Sequence, residues 1–135
     1  MKRATRTLLV AGLILSLCAP TLQAQSVLAT GFKKHYSMKS VACEVCHIKT
    51  ENKDEHPLND LGKVLAKMVE GKEINKRLEE IKDREDAAAE KVKEEVSKDF
   101  LEVLKKLDEM QAPSGKLYPE ALKAGEIEGA KPRGK

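Results

Sequence analysis

Cys43-Glu44-Val45-Cys46-His47 is the stretch around which the rest of the chain is organised. Two thiols stand three residues apart, and a histidine follows the second directly. Coiled into one helical turn, Cys43, Cys46 and His47 occupy i, i+3 and i+4 and share one face. Several chemistries use such a set. A structural or redox thiol pair is one, although nothing nearby has the βαβ pattern of a thioredoxin-like motif. A zinc site completed by His35 or His56 is another, but such sites usually bring a second ligand pair, and the chain has no second Cys pair.

The same five residues match the C-x-x-C-H signature of covalent haem attachment. In this the chain resembles the cytochrome c superfamily, class I-like. The resemblance implies a single haem c, with thioether bonds from Cys43 and Cys46 and a proximal iron bond from His47 Nε2. Both sulfurs would reach the vinyl groups along one edge of the macrocycle, with the imidazole beneath it. His56-Pro57-Leu58-Asn59-Asp60-Leu61-Gly62 resembles the Gly-Pro-Asn-Leu-x-Gly stretch that follows the haem motif in that family, with His56 in place of the leading glycine. There the proline carbonyl accepts the Nδ1–H of the proximal histidine. Pro57, ten residues past His47, is the candidate for that supporting role; a plain helix-entry proline is its other reading.

The second axial position decides much of the chemistry. Met110 lies 63 residues past His47, close to the family spacing, and is the first candidate for sixth ligand. His35, eight residues before Cys43, is the runner-up. Met68 continues an apolar helical stripe and reads as core, as Met110 also does on a second reading. His56 adjoins Pro57 on the proximal side, and an open or water-bound iron is the remaining case.

Residues 1–24 read as a secretory signal peptide, with Lys2, Arg3 and Arg6 ahead of an apolar run from Leu8 to Leu17. Pro20 and Gln23 interrupt the run before the about 20 apolar residues a membrane span needs. Ala24 precedes the expected cut, with Val27-Leu28-Ala29 a second possible site, and Cys18 leaves with the peptide unless it is lipidated. The expected location is therefore periplasmic or otherwise exported, with no membrane anchor after cleavage.

The chain carries 25 Lys and Arg against 22 Asp and Glu. Lys2, Arg3 and Arg6 supply the excess, so residues 25–135 are balanced. Together with the scarcity of aromatics, that excludes a basic nucleic-acid surface. Lys33, Lys34, Lys39 and Lys49 flank the motif and suggest a basic rim that steers an acidic redox partner protein, or else a merely solvated face.

The expected fold is all-α: a small helical haem-c domain over residues 25–135, with an extended charged helical segment. A helix is expected over residues 25–36 and a motif helix over 39–48, then a loop over 49–55. The motif segment as a whole covers 39–71. Asn59 reads as an N-cap, Leu61, Val64, Leu65, Met68 and Val69 as one apolar face, and Gly71 as the residue closing that helix. The charged segment covers 73–111. Unbroken from Glu73 to Met110 it would run about 57 Å, so a break near Asp83–Asp86 is expected, with Asp86 capping the second piece; a coiled-coil arm is the alternative. A short helix near Tyr118 to Ala124 follows, then a loose tail over 125–135. With Phe32, Tyr36, Phe100 and Tyr118 its only aromatics, the core reads as thin unless haem fills it.

Two function classes fit. One is a one-electron carrier without substrate chemistry. The other is a haem-based ligand sensor or peroxidase-like protein with an open sixth position and a polar distal group. A haem-free interaction protein built on the charged helices is a third, weaker class.

Overall fold

The computed structural model describes residues 22–52 and 55–133. The apolar run from Leu8 to Leu17, expected to belong to a signal peptide, and Cys18 lie outside the described residues. Among the described residues are five α-helices and one small antiparallel sheet, so the fold there is mainly α rather than all-α.

Helix α1 spans Leu22–His35 and ends at Ser37, whose φ of 52° is left-handed. The expected motif helix over 39–48 does not form. Met38–Val41 is instead strand β1, and Cys43–Val45 is a single 3-10 turn. Strand β1 pairs antiparallel with β2, Ala130–Pro132, so the expected loose tail is pinned to the segment that leads into the motif. Tertiary pairing overrides helical spacing here because Met38 is fully buried and its backbone meets a strand partner.

Helix α2, Asp60–Gly71, starts where expected: the Asn59 side chain accepts from the Gly62 amide at 2.8 Å. Its stripe turns inward through Leu61, Leu65 and Val69, with Val64 and Met68 half-buried. Gly71 is the last helical residue rather than the left-handed terminator, and Glu73, φ 51°, takes that conformation.

The charged segment divides as expected. Helix α3 covers Ile74–Glu80 and α4 covers Ala87–Leu107, with the Asp86 carboxylate accepting from the Ala89 amide at 2.8 Å. The two helices pack on one another rather than forming an arm. Asp99 on α4 ties them, taking Lys72 and Arg77 as partners. Helix α5, Tyr118–Lys123, has Pro119 in its first turn.

The core is not thin. Phe32, Met38, Leu65, Ile74, Phe100 and Tyr118 belong to one buried apolar cluster that draws on every helix and on β1.

Candidate functional site

Backbone hydrogen bonds build the 3-10 turn that starts at Cys43 and is capped by Cys46. The Cys43 carbonyl accepts from both the Cys46 amide (3.1 Å) and the His47 amide (2.9 Å), so the five residues close one turn. Cys43 and Cys46 thus keep the i, i+3 relation, and in a 3-10 turn such positions nearly eclipse. Val45 points the other way into the core, 1% exposed, and anchors the turn. Both thiols are free, Cys43 exposed and Cys46 half-buried. Burial, and then the neighbouring Cys43, push the Cys46 thiol up to about 11.

Three segments hold the turn. The Ala42 amide donates to the Gly129 carbonyl at 3.0 Å, tying the turn to the strand that follows. Asn59 works in two directions: its side-chain oxygen caps α2, while its Nδ2 donates to the carbonyls of Glu44 and Val45, both at 3.0 Å. A bridge between His47 and Leu58 completes the frame, the Ile48 amide donating to Pro57 O (2.8 Å) and the Asn59 amide to Cys46 O (2.9 Å).

His47 Nδ1 lies 2.9 Å from the main-chain carbonyl of His56. A carbonyl only accepts, so Nδ1 carries the proton and Nε2 keeps its lone pair. The acceptor expected from the sequence, the Pro57 carbonyl, is one residue away and is taken by the Ile48 amide. The antiparallel bridge fixes this register.

A cleft of about 240 Å³ opens beside the motif, with Cys43, His47 and Ile48 in its wall and Glu44, Lys49 and Glu55 among its polar lining. His56 also lines it, its ring 6.0 Å from that of His47. The other sixth-ligand candidates are not brought there. Met110 packs against the core, as Met68 does. His35 Nε2 is paired with Asp108 Oδ2 at 2.8 Å beside a different cavity. Of the four flanking lysines Lys49 lines the cleft, together with Glu44 and Glu55.

The donor set is one that a covalent haem could use: two free thiols on one turn, Cys43 in the cleft wall and Cys46 half-buried, and an imidazole whose Nδ1–H donates to a carbonyl. The cleft is smaller than the about 300–1,000 Å³ usual for ligand pockets, so attachment would rest on the sulfurs and the iron bond more than on burial. Asn59, expected from the sequence only as an N-cap, emerges as a support of the motif turn, as do Gly62 and Gly129. Among the described residues no group of three or more His, Cys, Asp or Glu converges as a metal-ion site, and no helix is long and apolar enough to cross a membrane. Compared with family models, curated proteins and solved structures, the chain matches none.

Proposed function

We propose that this chain is an exported single-haem c-type cytochrome that accepts one electron and passes it to a redox partner protein. Cys43 and Cys46 form the thioethers and His47 Nε2 is the axial ligand. The observation that carries this reading is the His47–His56 hydrogen bond, which fixes the ring tautomer with Nε2 as its free acceptor. Such a bond also raises ligand basicity. The haem would supply the one-electron couple; the chain holds it, orients the imidazole and leaves the motif edge open to solvent.

A second reading, ligand sensing or peroxidase-like chemistry at an open sixth position, is favoured by one arrangement. Met110 and His35 both lie outside the motif cleft. One set of spectra tests both readings. After expression with the cytochrome c maturation machinery, pigment that resists acidified organic solvent is the expected result, and freely extracted or absent pigment overturns both. Low-spin spectra in both redox states then select the carrier, whereas a high-spin iron that binds carbon monoxide quickly selects the open site. In either case Met110→Ala and His35→Ala leave the spectrum unchanged.

A further inference from the structure

A second cavity, of about 700 Å³, lies between α1 and α4 and shares no lining residue with the motif cleft. Its volume falls inside the about 300–1,000 Å³ range of small-ligand sites. Gly31 sets the close approach of the two helices: a Cβ there would stand 3.0 Å from Phe100 Cδ1. Phe100 and Leu104 on α4 line the groove from within the core, 4% and 0% exposed, so its open apolar surface comes from Leu101, 40% exposed, and from half-buried Val27 on α1.

The charged lining is of one sign. Lys34, His35 and Lys98 line the groove, and among the described residues no acidic side chain does, although α4 is rich in glutamate. His35 is already paired with Asp108. Among the described residues Lys34 and Lys98 hold no carboxylate, whereas Lys63, Lys72, Lys76, Lys82, Lys93 and Lys116 each do. An apolar trough with two unpaired ammonium groups at its margin complements a molecule with an apolar tail and one anionic head.

We propose that this groove binds a long-chain carboxylate, its tail along Leu101 and Val27 and its head at Lys34 and Lys98. The site is independent of haem attachment, so its test stands apart from the function proposed above. The full chain is titrated with monomeric laurate by calorimetry, then with shorter acids and with 1-dodecanol. Expected are one saturable site per chain, about a fourfold gain in affinity for each added methylene, and clearly weaker binding of the alcohol. Lys34→Glu with Lys98→Glu, both at exposed positions, lowers laurate affinity about tenfold with the circular dichroism unchanged. Absence of saturable binding overturns the proposal, as does equal affinity for laurate and dodecanol, or an unaltered affinity in the double variant. Capture by phosphatidylglycerol vesicles without binding of monomeric laurate also overturns it, in favour of a membrane surface.

Discussion

A methyl group on Gly62 would stand 2.0 Å from the carbonyl oxygen of Cys46, so the first turn of α2 rests directly on the motif backbone. Gly129 closes on the turn from the other side: its φ is 76° and a Cβ would lie 2.7 Å from the Val45 amide nitrogen. Between them the two glycines clamp the segment that presents both thiols.

Gly62→Ala is therefore expected to destabilise the fold toward the upper end of the about 1–3 kcal/mol seen for overpacking. Gly129→Ala adds left-handed strain to a similar clash. Gly71→Ala, with open space around the new carbon, is the control and should be neutral or slightly stabilising. Urea midpoints compare the three, and equal midpoints would show that the clamp is illusory.

Asn59 separates capping from motif support. Asn59→Asp keeps the oxygen that accepts from Gly62 but loses the Nδ2 that donates to Glu44 and Val45. Asn59→Ala loses both, at about 1 kcal/mol for the cap and about 1 kcal/mol for each of the two abandoned bonds. Hydrogen exchange should show faster opening at Cys46 and His47 in both variants, and fraying at the start of α2 in the alanine variant alone.

The two thiols should react unequally in the haem-free protein. Cys46, pushed up to about 11 by burial and by Cys43, stays protonated across the neutral range; only the thiolate is the nucleophile. Near pH 8 iodoacetamide is expected to label exposed Cys43 first, with Cys46 labelling quickening as pH rises toward 11. Peptide mass spectrometry reads the order, and equal rates near neutrality would contradict it.

Because one buried apolar cluster joins every helix and β1, haem attachment should not be a condition of folding. The double variant Cys43→Ser, Cys46→Ser is expected to keep its helical circular dichroism and a cooperative thermal transition. Loss of that transition would mean that the cofactor completes the core after all.

Acid stability should depend on Asp99. The Arg77 guanidinium, with the Lys72 ammonium, holds its carboxyl below the ordinary value of 3.8. The unfolded chain therefore takes up the proton first as pH falls. The contribution is full above the ordinary value and disappears as pH drops through the lowered one. About a third of the side chain is exposed, which limits the effect to about 1 kcal/mol. Asp99→Asn should be less stable than the parent near pH 6, and the difference should shrink as pH falls below 3.8 and vanish once the lowered value is passed.

The motif, the caps at Asn59 and Asp86, the break between α3 and α4 and the first turn of α5 were all legible in the sequence. Each depends on residues within four or five positions of one another, where spacing and capping chemistry act directly. What surrounds the motif was not legible in that way. Met38–Val41 carries spacing compatible with a helix and becomes a strand because Ala130–Pro132 returns to pair with it. The acceptor for His47 is the His56 carbonyl rather than that of Pro57 because an antiparallel bridge sets the register.

The positions of Met110 and His35 likewise depend on how distant helices dock. Amino-acid order alone determined which atoms are available for chemistry, since thiols, imidazole and their mutual spacing are covalent facts. Only the tertiary structure decided how those atoms are aimed and what stands near them, because backbone pairing and core packing join residues far apart along the chain.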